Sequence, residues 1–393
     1  MGVDAEVFSS KPENPKAHRP TRMIKTTALG RYKYLFSKIE AKAINAIRVR
    51  APMRPLTVLG GYHGENTGDW AMGTAIRAAA TSQNIHARTL AMRDCERLKS
   101  ARNVIIGGGA VATPEALKRV AEIWSSNPFR VALVGVDFSA NMAEFSPQIQ
   151  KMCQAATSIG LRHKSQLQRV RDWSKNDQTY VHADVAFSLE LPDLNAPKSR
   201  TLTMNVLPLF RVHAAGRFQA GSALSAMYQR NKSKFHDKIE HIAAAYVGFV
   251  RRIANAYSDK GYQIVHIPFA PEDDAFARAI LPKRTRFVPF SLSFARCEQE
   301  IASSELFVPT RFHAVVAGIR TRTPILPIAY AGKVEGLLTD FGVTPSQIID
   351  RERFEDNDVN FAFFSPEEAA ISESMSSATV AIERAVREAM GTA

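Results

Sequence analysis

Arg311-Phe312-His313, followed by Tyr330 and Lys333, is the grouping in this chain best suited to chemistry. Arginine presents a planar fork that matches a carboxylate or phosphate, and a nearby histidine can move a proton near neutral pH. The pair therefore suggests work on a small anionic substrate. A second set lies far upstream, where His63, Asn66 and Asp69 follow Gly60-Gly61. A third is Arg162, with His163 beside it. Asp69 can carry a proton or cap a helix beginning at Trp70. Arg162 reads as a cation at a helix start, where the helix dipole disfavours it, so a bound anion would explain its position. Each residue also has a plain reading: His313 as a packed histidine, Lys333 as a turn marker, His63 and Asn66 as ordinary loop residues. Asp273-Asp274 is read as a solvated loop pair and His266 as core.

The elements that must hold these groups alternate between strand and helix. Leu56-Thr57-Val58-Leu59 is a strand running into the first glycine turn, and Val104-Ile105-Ile106 ends in Gly107-Gly108-Gly109. The first turn has neither the spacing of a dinucleotide fingerprint nor the Lys-Ser/Thr of a P-loop, and either glycine cluster alone marks little beyond a tight βα turn. Further strands are expected at 131–136, 158–161 and 179–182, with helices between them. After a polar linker near 191–200, a second series has strands at 201–206, 262–267, 286–288 and 306–308, a long helix over 234–260 and a helix over 275–281. Ala314–Ile319 reads as a packed helix and Pro324–Ile328 as the next strand. Such alternation predicts parallel, doubly wound sheets. Arg311 and His313 then fall on the carboxyl edge of one of them, where open α/β folds bind ligands. The units are 1-54, a basic arm; 55-195, a first Rossmann-like domain; 196-350, a second; and 351-393, a helical tail.

Taken in order, Gly61-Tyr62 with Asn66-x-Gly68-Asp69, the Val104–Gly109 strand end, Ile159–Ser165, Asp184, Arg311-x-His313, Pro324, Tyr330 and Lys333 resemble the polysaccharide pyruvyl transferase family. The resemblance spans roughly residues 56 to 343. Asn103, Trp70 and His163 depart from the family's acidic residues. The resemblance implies two Rossmann-like domains facing across a GT-B-like cleft, the first on the acceptor side and the second on the donor side. It also implies transfer of a pyruvyl group from phosphoenolpyruvate to sugar hydroxyls of a polysaccharide or lipid-linked saccharide, forming a ketal. His313 and Asp69 would then be catalytic, and Arg311, Arg162, Lys333, Asn66, His63 and Tyr330 would bind substrate. No cofactor or metal is expected beyond phosphoenolpyruvate as donor. The alternatives are a nucleotide-sugar-dependent glycosyltransferase, for which Glu335 is the nearest ribose-binding candidate, and a non-catalytic relative that binds sugar or anion.

Composition sets the remaining expectations. The 393 residues suffice for two cores, and 45% hydrophobic with 23% charged residues is ordinary for a globular protein. Three isolated cysteines argue against a zinc ribbon or disulfide framework, and the start of the chain lacks a secretory pattern, so a cytoplasmic protein is expected. Residues 11–54 hold twelve Lys or Arg against two Glu. Within them Leu35, Phe36, Ile39, Ala43, Ile44 and Ile47 recur at helical spacing. A basic amphipathic helix can lie on an anionic membrane at the cytoplasmic face, or dock on the first domain. Nucleic acid is not expected as a partner, since no recognition motif accompanies the charge.

Overall fold

The computed structural model describes residues 55–62, 64–194, 197–214, 217–220, 238–356 and 361–392. The basic arm, including the helix expected over 31–50, lies outside the described residues, as does His63.

The first sheet consists of β1 (Leu56–Gly60), β2 (Ala87–Ala91), β3 (Asn103–Ala112), β4 (Arg130–Phe138), β5 (Ile159–Leu161) and β6 (Thr179–Val181). Its order is β2-β1-β3-β4-β5-β6, with every pair parallel. Runs such as Leu56-Thr57-Val58-Leu59-Gly60 are buried throughout because helices cover both faces. Three of the helices between these strands begin on side-chain caps. Asn66 caps α1 (Thr67–Ser82), Thr113 with Pro114 starts α2 (Pro114–Ser126), and Ser146 with Pro147 starts α3 (Pro147–Gln154). One reading of the sequence made Asp69 the cap of a helix beginning at Trp70. Instead Asn66 Oδ1 accepts from Gly68 N at 2.9 Å, so α1 begins earlier and the Asp69 carboxylate is not used as its cap. α4 (Leu167–Ser174) leads into β6.

The second sheet is also parallel, in the order β11-β10-β7-β12. Its strands are β7 (Ser199–Met204), β10 (Gln263–His266), β11 (Arg286–Phe287) and β12 (Ser304–Val308). A short antiparallel hairpin, β8 (Arg211–Ala214) with β9 (Arg217–Ala220), follows β7. α5 (Ile239–Asp259), α6 (Pro271–Ile280), α7 (Phe294–Ala302) and α8 (Phe312–Arg320) complete its layers. The strand expected over Pro324–Ile328 is mostly irregular. Ile325 makes single bridges to Phe307 and Phe364, and ladder pairing begins only at β13 (Ile328–Ala329), beside β14 (Ile349–Asp350). Pro324 and Pro327 have no N–H to give to a ladder.

Between β13 and β14 runs α9 (Gly332–Asp340), and the chain closes with α10 (Glu368–Met390). α10 is more than a tail. Ile371 and Ala378 pack into the core of the second domain, whereas Ile382, Ala385, Val386 and Ala389 pack against Leu56, Val58, Met72 and Ile105 of the first. The helix therefore straps the two domains together. Arg320 does the same from inside. It is fully buried, pairs with Glu298 at 2.6 Å, and donates to the carbonyls of Phe187 and Leu189 at the end of the first domain.

In each sheet the chain leaves its first strand to one side and later returns on the other. β1 lies between β2 and β3, and β7 between β10 and β12. These are the topological switch points, where loops diverge and leave a crevice at the carboxyl edge. The two crevices face each other.

Candidate functional site

A cavity of about 240 Å³ lies between the two carboxyl edges. Gly61, Asn66 and Asp69 come from the turn after β1, Gly108 and Gly109 from β3, and Arg162 from the end of β5. The opposite wall carries Arg311, Phe312 and His313 from the start of α8, with Tyr330 and Lys333 from the turn into α9. Seven of the eight residues singled out in the sequence thus line one cavity, and His63 is the one not described.

The glycines act largely through packing. Tyr62 is 1% exposed and donates its hydroxyl to the Gly107 carbonyl. A Cβ at Gly60 would lie 2.5 Å from its ring, and one at Gly73 would lie 2.7 Å away. Gly108 and Gly109 have φ of 74° and 91°, a conformation glycine adopts without strain, so their backbone can form the cavity wall. A side chain at Gly68 would come within 2.0 Å of His313 Nδ1. The first turn of α1 can therefore meet the first turn of α8 only because residue 68 has no side chain. Thr67 ties down this meeting, donating its N–H to Phe269 O at 2.9 Å and its hydroxyl to Ser291 O at 2.8 Å.

The two arginines are held by carboxylates, which replaces the bound anion expected at Arg162 with anions of the protein itself. The Arg162 side chain is 2% exposed. Nε donates to Asp137 Oδ2 at 2.8 Å, Nη2 donates to the same oxygen, and Nη1 donates to Asp184 Oδ2 at 2.8 Å. Its position is explained by these internal anions without any bound one. Asp273 is likewise no solvated loop residue. It is fully buried and grips Arg311 through Nε at 2.7 Å and Nη2 at 2.7 Å, while Glu272 accepts from Nη2 at 2.7 Å. Asn205 accepts from Arg311 N at 2.9 Å. One edge of the Arg311 fork is thereby used, and Nη1 donates to no described residue. The Phe312 ring lies beneath two cations, with the Arg162 guanidinium 4.6 Å and Lys333 Nζ 5.7 Å from its centroid.

The carboxylates divide by environment. Burial raises Asp69 above the usual range despite the cations around it, and no described residue hydrogen-bonds to its carboxylate. Burial also works against the charge on Asp137, but Arg162 outweighs it and holds that carboxyl below the usual range. Asp184 is held low too, against burial, by His313, Arg162 and the Ala186 N–H. His163 is pushed down chiefly by burial. His266, as expected, is core: it is fully buried, and burial pushes it down to about 3.

Among the described residues, no group of three His, Cys, Asp or Glu is placed to hold a metal ion, and no helix is long and apolar enough to cross a membrane. Cys95, Cys153 and Cys297 are free and buried. Sequence reasoning gave no role to Asp137, Gly68 or Phe312. The only signal for Asp137 was a lone carboxylate where the apolar run Val131–Val136 ends.

A family model described as polysaccharide pyruvyl transferase matches residues 26–332. No curated protein matches the chain. Among solved structures, a co-structure of S. aureus MnaA with UDP is 12% identical with a TM-score of 0.50, covering 85% of this chain and 95% of that one. A UDP-GlcNAc 2-epimerase from Methanocaldococcus jannaschii is 11% identical with a TM-score of 0.47, covering 85% and 99%. The Neisseria meningitidis UDP-GlcNAc 2-epimerase bound to UDP-GlcNAc is 9% identical with a TM-score of 0.44, covering 87% and 100%. Likeness at such identities is a likeness of fold, here two Rossmann-like α/β domains in a GT-B-like arrangement.

Proposed function

The chain belongs to the polysaccharide pyruvyl transferase family and is a transferase, and on that premise we propose that it moves the pyruvyl group of phosphoenolpyruvate onto two hydroxyls of a saccharide. The observation that carries this reading is one cavity lined by Arg311 and Lys333 together with His313 and Asp69. The donor has a carboxylate and a phosphate. Arg311 Nη1, which donates to no described residue, suits the carboxylate. Lys333, a compact charge in the first turn of α9, suits the phosphate together with the N–H groups there.

His313 gives a proton to the methylene carbon of the donor as a sugar hydroxyl adds to the neighbouring carbon, and Asp69 takes the hydroxyl proton. The bond to the phosphate oxygen then breaks, and phosphate leaves with the proton from Asp69. The second hydroxyl adds to the same carbon, returns a proton to His313 and closes the ketal. A carboxyl raised above the usual range suits Asp69 to this exchange, because acid–base groups work best near the ambient pH.

The acceptor is a polysaccharide or a lipid-linked saccharide in the cytoplasm. In the latter case the basic segment over 31–50 would hold the enzyme at the membrane face. The test is phosphate release from phosphoenolpyruvate across a glycan panel, with intact-mass detection of the pyruvyl adduct. Consumption of the donor with ketal product is expected. No adduct from any acceptor, together with a thermal shift produced by UDP or GDP and none by phosphoenolpyruvate, would overturn the reading in favour of a nucleotide-sugar donor.

A further inference from the structure

His313 reaches the cavity from the first turn of α8, but one of its ring nitrogens points elsewhere. Nε2 is buried and makes no hydrogen bond among the described residues. A buried polar atom of this kind costs free energy unless it has a partner. The carboxylate oxygen within ion-pair range of it is Asp184 Oδ1, at 3.7 Å. Asp184 is itself immobilised. Its side chain is 1% exposed, Oδ2 accepts from Arg162 Nη1 at 2.8 Å, and Oδ1 accepts from Ala186 N at 2.9 Å. A small rocking of the imidazole would bring Nε2–H within hydrogen-bond reach of Oδ1. Catalytic hydrogen bonds are often long before substrate is bound. The other nitrogen, Nδ1, packs against Gly68 on the opposite wall.

From this geometry we infer that Asp184 is a positioning residue for His313, holding Nε2–H towards itself so that Nδ1 is the nitrogen that exchanges the proton with substrate. Which nitrogen of a histidine works is set by the bond made by the other. The carboxylate is supplied by the first domain and the histidine by the second, so the working tautomer exists only where the two domains meet. Arg162 is the brace of this device, since it fixes Asp184 from the side away from the ring. The Asp184 carboxylate accepts from Arg162 through one oxygen and from Ala186 through the other, and the rocked ring would add His313 to the second. An asparagine could present its oxygen to only one of these sides and would turn an NH2 group against the other.

The inference rests on the transfer reaction above for its consequence, but not for its measurement. In the full-length protein with 15N-labelled histidine, the His313 signals are assigned by their absence from His313→Asn. Nitrogen chemical shifts of the neutral ring then report which nitrogen carries hydrogen. Nε2–H is expected, and Nδ1–H would overturn the inference whatever the activity. In Asp184→Asn, folded by circular dichroism, that preference is lost. Its kcat falls roughly 10²-fold or more, on the scale of a misplaced acid–base group, while KM for phosphoenolpyruvate changes little. A folded Asp184→Asn protein with wild-type kcat would also overturn it. If no ketal forms with any acceptor yet the ring is Nε2–H, the hold of Asp184 on His313 stands and the assigned reaction falls.

Discussion

Arg162 and Arg311 face the same cavity from opposite domains, and each is paired with two carboxylates, yet they are held differently. Arg162 is enclosed, with carboxylates at both ends of its fork and Phe312 against its face. Arg311 is gripped through Nε and Nη2 and is 19% exposed, and its Nη1 donates to no described residue. The first arrangement builds the wall and the second leaves a donor for binding. A cation in a cleft is thus not by itself an anion site; what matters is how many of its donors are already used.

Substitution of the two arginines gives the largest expected effects, and they should differ in kind. Arg311→Ala should abolish most transfer activity, roughly 10²-fold or more in kcat/KM, if its Nη1 positions the donor. The Asp273 left behind keeps its bonds from Phe269 N, Ala270 N and Asn205. Arg162→Ala removes the main donor to two buried carboxylates and should cost about 3–5 kcal/mol of stability, as for a broken buried pair. Denaturant melts and steady-state rates on both variants check this contrast. Equal loss of stability in the two would erase the distinction.

Two glycines of α1 sharpen the same contrast on a smaller scale. Gly73→Ala drives a methyl into Tyr62 and should destabilise by about 1–3 kcal/mol through overpacking. Gly68→Ala drives one into the His313 ring instead. It should lower kcat by up to about 10²-fold, the cost of a misplacement of about 1 Å, with a smaller change in melting temperature.

Acid should separate the carboxylates. Asp137 and Asp184 have folded values below their unfolded ones. Their stabilisation is therefore fully present above the unfolded value of about 3.9. It is lost as pH falls from there through the depressed folded values. Asp69, raised by burial, has the opposite sign: its contribution is present below the unfolded value and lost as pH rises through the folded one. Urea melts between pH 3 and 7 (about the range these groups sample) should show an acid-side loss that Arg162→Met largely abolishes. An unchanged acid slope in that variant would mean Arg162 is not what holds the pair.

The smallest effect concerns the basic segment. Each Lys or Arg near an anionic surface contributes about 1 kcal/mol. Flotation with anionic liposomes should therefore show weak binding that fades with salt and disappears on deleting residues 1–50. No flotation at any salt would leave those residues with the docking role.

Much of the site was legible because its residues sit at strand ends, where an apolar run gives way to glycine or charge. Arg311 after Leu306–Val308 and Asp69 after the first glycine turn could be placed on carboxyl edges from the pattern alone. β2 was not visible, since Ala87–Ala91 has no apolar run, nor was the broken stretch between Pro324 and Pro327. Hydrophobic period does not register a strand that relies on its neighbours for pairing.

The sequence by itself determined the alternation of strand and helix, the order of the motifs and the side chains available for anion and proton chemistry, because these depend on residue type and local spacing. Only the tertiary structure decided which charges cancel. Asp137, Asp184 and Asp273 lie 25, 22 and 38 residues from the arginines they hold. It also decided that Asn66 caps α1 and frees Asp69, that Gly68 makes room for His313, and that α10 binds both domains. Charge pairing and close approach act through space over a few ångströms, and a linear chain does not encode such distances until its sheets have packed.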